Sequence, residues 1–134
     1  MRSFSRRSLI GHAAAAAVVA GAASPMLNGT ARPRVVVVGG GAGGASVAHH
    51  LARDAGNALD VVLIEPSRTY HTCFFSNLYL GGLFDRAGLI HGYDRLAALP
   101  GLQIVHDWVS SIDPDTRSVR LGSDVQLRYD RLVL

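Results

Sequence analysis

The chain has 134 residues, and 49% of them are hydrophobic, enough for one small domain with a buried core. All 13 basic residues are arginine and the formal charge is +3, yet Arg2, Arg6 and Arg7 account for the excess: from residue 32 onward ten arginines balance ten acids. The body of the chain therefore lacks the basic surplus of a nucleic-acid-binding face, and no nucleic-acid partner is expected.

In chain order, residues 1–31 read as an export signal and linker, and residues 32–134 as one domain. A charged head precedes an apolar run from Leu9 to about Ala23, which is too short and too alanine-rich for a transmembrane segment. Ser5-Arg6-Arg7-Ser8-Leu9-Ile10 resembles a twin-arginine signal, which implies delivery to the periplasm. That route carries folded proteins and suits one that takes up its cofactor before export. An ordinary secretory signal with two adjacent arginines is the alternative, and cleavage after Ala22 or after Ala31 fits equally.

Arg34–Val38 is a continuous β-branched run, the pattern of a strand covered on both faces in a parallel sheet. Gly39, Gly41 and Gly44 then fit G-x-G-x-x-G, followed by an alanine-rich helix over Ala42–Ala55 with a stop at Gly56-Asn57. Asp60–Glu65 reads as a second buried strand ending in an acid. In this pattern Gly39 allows the tight turn, Gly41 lets backbone approach a pyrophosphate, and Gly44 lets helix and strand pack closely. The helix start at Ala42 and Gly43 offers N–H groups and a positive dipole end to phosphate. Glu65 lies 21 residues past Gly44, near the spacing of an acid that accepts ribose hydroxyls. Such an acid repels a 2′-phosphate and so favours FAD or NAD over NADP. The lesser reading of the glycines is an ordinary turn in an α/β protein.

After Glu65, Pro66 to Gly82 reads as a long loop leaving the C-terminal end of the second strand, where ligand crevices lie. It carries the only cysteine, Cys73, with Arg68 and His71 as candidate positive neighbours. By itself a lone cysteine is most simply a small buried thiol. Tyr93–Leu99 reads as a short helix and Gln103–Val105 as the next parallel strand. Ser111–Asp113, Ser118–Leu121 and Val125–Arg128 read as an antiparallel meander with turns at Pro114-Asp115 and Gly122-Ser123. Arg131–Leu134 reads as a strand returning to the parallel sheet, and as it needs neighbours to cover it, the chain is expected to be the N-terminal part of a longer one. His49 and His50 point about 100° apart on a helix and make a poor chelating pair, so surface or packing roles are expected. His106 and Trp108 also have packing as their simple reading, preferred for Trp108.

Together, "VVVVGGGAGGASVAHHLA", "VVLIEPSRTYHTCFFSNLYLGG", "HGYDRL", "VHDWVSSIDPD" and "YDRLVL" resemble the flavoprotein subunit of flavocytochrome c sulfide dehydrogenase, over about Arg34 to Leu134. The glycine loop is common to many flavoproteins; the Tyr70–Asn77 stretch with Gly81-Gly82 is more specific. The resemblance implies an α/β, Rossmann-like FAD-binding domain of the two-dinucleotide-binding flavoprotein type, with a parallel sheet and an antiparallel meander, incomplete in this chain. It implies FAD held by a thioether from Cys73 to the flavin 8α carbon, and adenine contacted through the backbone at Val109. It further implies sulfide as substrate and a cytochrome c subunit as electron acceptor. The sulfide-oxidising cysteine pair of that family has no counterpart here, so no catalytic residue is expected in this chain. The expected cofactor contacts are Gly39, Gly41, Ala42, Gly43, Gly44, Glu65, Pro66, Arg68, Cys73 and Val109. The alternatives are a sulfide:quinone oxidoreductase, a non-catalytic dinucleotide-binding fragment, and an NAD-binding module.

Overall fold

The computed structural model describes Met26–Leu27 and residues 32–134; the export-signal reading falls almost wholly outside the described residues. Four strands run parallel: β2 (Arg34–Val38), β3 (Asp60–Ile64), β6 (Leu102–Val105) and β10 (Arg131–Val133), in the order β10-β2-β3-β6. Helix α1 (Ala42–Ala55) makes the crossover from β2 to β3, and the register aligns Val35 with Val61 and Val38 with Ile64. The returning C-terminal strand takes its expected place, with Leu132 opposite Val36.

The unbroken apolar runs of β2 and β3 follow from two covered faces. Val35, Val37, Val61 and Leu63 face Ala48 and Ala52 of α1, together with Tyr93 and Leu102. Val36, Val62 and Ile64 face the other way, onto Val119, Leu121 and Leu127. Those last three belong to the meander of β7 (Val109–Asp113), β8 (Ser118–Leu121) and β9 (Gln126–Arg128). The two-residue strand β1 (Met26–Leu27) pairs parallel to β9. The meander is thus a lid on the sheet face opposite the helix.

At the N-terminal edge of the sheet the buried Arg34 Nε donates to Asp60 Oδ2 at 2.6 Å, and the Arg34 amide donates to Asp130 Oδ2 at 2.7 Å. This clasp ties β2, β3 and the entry to β10 together, leaving the opposite, C-terminal edge free for ligand.

The long loop expected after Glu65 is corrected. It contains β4 (Thr69–His71) and helix α2 (Ser76–Leu80), and β4 pairs antiparallel with β5 (Ile90–Gly92), which follows the loop, so that Tyr70 faces His91. Elements of three to five residues are too short to show a hydrophobic period. The short helix α3 begins at Asp94, one residue after the expected start, and ends at Ala97. Among the described residues no helix is long and apolar enough to cross a membrane.

Candidate dinucleotide site

The crevice opens at the C-terminal ends of β2 and β3. Gly39 leaves β2 with φ +96°, a left-handed value that a side chain would strain, and its amide donates to Ile64 O at 2.8 Å. A Cβ on Gly44 would collide with the carbonyl oxygen of Gly39, so the first turn of α1 lies directly on the loop. Around Gly41 and Gly43 a Cβ would meet nothing within 4 Å, which leaves open space on the ligand side. Gly41 is the N-cap of α1, and no side chain caps the helix. The positive end of a 14-residue helix therefore faces the crevice.

Gly40, which the glycine spacing did not single out, is held through both its amide and its carbonyl. Its amide donates to Glu65 Oε2 at 2.6 Å and its carbonyl accepts from the Tyr93 hydroxyl at 2.8 Å. An added Cβ would sit 2.6 Å from that hydroxyl and 2.8 Å from Glu65 Cγ. Burial, and then the negative charge of Glu65 and the neighbouring Tyr70, push the Tyr93 phenol above its ordinary 10.0, which keeps it a donor. The second Glu65 oxygen accepts from Ser67 N at 2.9 Å. Both carboxylate oxygens thus staple backbone, and each retains a further lone pair. His106 Nδ1 donates to the Glu65 carbonyl at 3.0 Å, because a carbonyl only accepts.

A cleft of about 360 Å³ is lined by Gly39, Glu65, Pro66, Ser67, Asp107, Trp108 and Val109, with Val38 and Ile64 at its floor. Four expected contacts, Gly39, Glu65, Pro66 and Val109, therefore converge. Gly41, Ala42, Gly43 and Gly44 continue from Gly39 as the cap and first turn of α1. Val109 opens β7 opposite Leu121 on the cleft wall, and the register shifts between Val109 and Ser111.

Two expected contacts lie apart from this group. Arg68 lines a separate cavity of about 440 Å³ with Tyr93, Asp94, Gln103 and His106. Cys73 lies between β4 and α2, and it is exposed and free, so the buried-thiol reading is corrected. Its carbonyl accepts from Ser76 N at 3.2 Å, and Phe75 after it adopts φ 66°. Around it the chain leaves Phe74, Phe75, Leu80 and Leu83 exposed. Packing also fails for Trp108, which is 70% exposed on the wall of the cleft. His49 and His50 touch edge to face at 5.5 Å, and no group of metal-ligating residues occurs among the described residues.

The comparisons with known proteins agree with this geometry. The sulfide:quinone oxidoreductase of the hyperthermophilic bacterium Aquifex aeolicus is 24% identical, with a TM-score of 0.62 over 75% of this chain and 23% of that one. The water-forming NADH oxidase of Lactobacillus brevis is 25% identical, with a TM-score of 0.60 over 75% of this chain and 24% of that one. The putidaredoxin reductase in a covalent complex with putidaredoxin is 27% identical, with a TM-score of 0.58 over 77% of this chain and 25% of that one. The chain thus spans about a quarter of the length of these structures, and its fold is that of FAD- and NAD-binding Rossmann-like oxidoreductases. Residues 33–134 match the family described as pyridine nucleotide-disulphide oxidoreductase, and the chain belongs to that family.

Proposed function

We propose that the cleft holds the adenosine end of FAD in an oxidoreductase that passes electrons from sulfide to a cytochrome c subunit in the periplasm. The observation that carries the FAD reading is the convergence of Gly39, Glu65, Pro66 and Val109 on one cleft beside the uncapped start of α1. The residues present fit the group. The first amides of α1 would bind the pyrophosphate, and the remaining lone pairs of Glu65 would accept the ribose hydroxyls. Val109 would meet the adenine and Pro66 would close the cleft. When bound, FAD supplies acceptance of two electrons from reduced sulfur and their release to a haem protein.

Cys73 is the attachment point in this reading. Its exposure on a ribbon that leaves the C-terminal end of β3 leaves the thiol reachable. Cys73 Sγ would hold the ring through a bond to the 8α carbon, giving up the thiol hydrogen while the 8α methyl gives up one of its own; the oxidised ring would take up the two protons and two electrons so released, and the cytochrome acceptor would remove the electrons. The finer assignment to sulfide and cytochrome c rests on the resemblance of the "YHTCFFSN" stretch.

The test is the protein purified from the exported fraction of its own host. The expected mass includes one FAD that survives acid precipitation, and sulfide-dependent reduction of cytochrome c accompanies it. In Cys73→Ser the flavin is expected to be lost on acid treatment. Flavin retained through acid in that variant overturns the attachment. A second reading, transfer to a quinone, is favoured by the exposed Phe74, Phe75, Leu80 and Leu83, an apolar surface suited to an apolar acceptor. Sulfide-dependent reduction of a short-chain quinone, with none of cytochrome c, would select it.

A further inference from the structure

Aromatic side chains dominate interface energetics, so one left in water on a fixed backbone at a cleft is placed to bind. Trp108 meets that description. Its amide donates to Asp107 Oδ1 at 2.7 Å and its carbonyl accepts from Gly122 N at 2.8 Å. Asp107 Oδ2 in turn accepts from Ser123 Oγ at 2.5 Å and Ser123 N at 3.2 Å. The Ser123 hydroxyl, and then the Trp108 amide, hold the Asp107 carboxyl below its ordinary 3.8, so these bonds persist at neutral pH. A Cβ on Gly122 would lie 3.1 Å from Asp107 Oδ1, so the β8–β9 turn sits flush against the segment. The Asp107 carboxylate, the Trp108 amide and the Trp108 carbonyl thus hold this backbone still, while the indole remains 70% exposed.

The indole lines the cleft together with Pro66, Glu65 and Val109. At about 360 Å³ the cleft is at the small end of the roughly 300–1,000 Å³ range of small-molecule sites. That is the scale of one nucleoside and not of a whole dinucleotide. Glu65 and the α1 terminus deal with ribose and phosphate, groups common to every nucleoside diphosphate. Nothing polar in them distinguishes one base from another.

We infer that Trp108 is the base-recognising wall of the cleft, an aromatic face on which a purine stacks, and that it sets the preference for adenine over pyrimidine nucleotides. This rests on the dinucleotide reading above and adds to it the residue that selects the base. A purine lays two fused rings on the indole and a pyrimidine only one, so uridine diphosphate would overlap less of the same wall.

Trp108 is the only tryptophan in the chain, so its emission reports this one position. The experiment uses the whole chain carrying Cys73→Ser and stripped of flavin, titrated with ADP and with UDP by calorimetry and by tryptophan fluorescence. ADP absorbs outside the indole emission and causes no energy transfer. The expected result is quenching by ADP, ADP affinity about tenfold weaker in Trp108→Ala, and a much smaller change for UDP. Trp108→Phe should restore most of the discrimination. Because the side chain is exposed, both variants should keep the parent urea midpoint, which separates binding from folding. ADP binding with unmoved emission, or with equal affinity in Trp108→Ala, overturns the role of Trp108 and leaves the dinucleotide site standing. No heat with ADP or with FAD overturns both.

Discussion

Gly41 and Gly44 belong to one motif, yet the structure assigns them opposite sensitivities. A Cβ at Gly44 would overlap the Gly39 carbonyl oxygen, and it would also lie 3.1 Å from Gly39 C and 3.4 Å from Val37 Cγ1. Backbone cannot swing aside as a flexible side chain can. Gly39 is also anchored by its bond to Ile64 O. Gly44→Ala must therefore push the first turn of α1 off the sheet, at the upper end of overpacking costs, about 3 kcal/mol. Replacing a helical glycine by alanine returns about 1 kcal/mol, leaving a net loss near 2 kcal/mol. For a domain of this size that corresponds to a fall in Tm of roughly 8–16 °C. Gly41→Ala meets nothing within 4 Å, so the fold should barely register it, with a loss below about 1 kcal/mol from the weaker cap. Its methyl group instead enters the space where phosphate would approach, and ADP affinity should fall. Urea unfolding followed by circular dichroism, beside ADP calorimetry, separates the two effects. A Gly44→Ala chain as stable as the parent would refute the close-packing argument. A Gly41→Ala chain with unchanged ADP affinity would refute the phosphate position.

The other consequences concern the two clasps that hold the sheet ends. Tyr93→Phe removes the donor to the buried Gly40 carbonyl and should cost about 1–3 kcal/mol in urea unfolding; no change would mean that the carbonyl finds another donor. Because the folded Tyr93 phenol is raised above 10.0, its contribution is complete below that pH and is lost as pH rises through the higher folded value. The parent's stability should therefore fall more steeply above pH 10 than that of Tyr93→Phe. Asp60→Ala removes the 2.6 Å charge-assisted bond from Arg34 Nε and should cost about 1.5–3 kcal/mol, read as a lower urea midpoint. A loss under about 0.5 kcal/mol would show that water reaches the guanidinium freely.

What the sequence made legible was what repeats along it. The β-branched runs of β2 and β3 declare two-sided burial, and the structure divides them residue by residue between helix and meander. The glycine spacing and the acid 21 residues later locate the crevice, because a turn, a close approach and a helix start each demand a particular residue type. Single contacts between distant segments were not legible. Tyr93 reaches Gly40 across 53 positions, and no local pattern marks a tyrosine that will find a carbonyl there. Trp108 misled for the opposite reason. Tryptophan is usually well buried, and only the pinned backbone around it shows that this one has been left outside. The ribbon of β4 and β5 was unreadable because its strands have three residues each.

The bonds that hold the crevice also hold the fold, and this bears on how it would bind. Glu65 reaches Gly40 and Ser67, Tyr93 reaches Gly40, and Asp107 reaches Trp108 and Ser123. The bonds from Glu65 to Gly40, from Tyr93 to Gly40 and from Ser123 to Asp107 join segments distant in the chain, and the bonds to Ser67 and Trp108 brace them locally, so the glycine loop and the Trp108 wall are fixed before any ligand arrives. A site built this way loses little ordering entropy on binding, and more of each contact remains as affinity. The ribbon carrying Cys73 contrasts with it: Phe74, Phe75, Leu80 and Leu83 are exposed, and few of its bonds reach the sheet. If FAD is held as proposed, rigid recognition at the adenosine end and a reachable thiol on a less supported arm would seat the cofactor first by its nucleotide and secure it afterwards at its ring. On that order, Glu65→Ala should reduce covalent flavin at Cys73 although the two residues share no cavity. Full flavinylation of that variant would show that attachment proceeds without the nucleotide cleft.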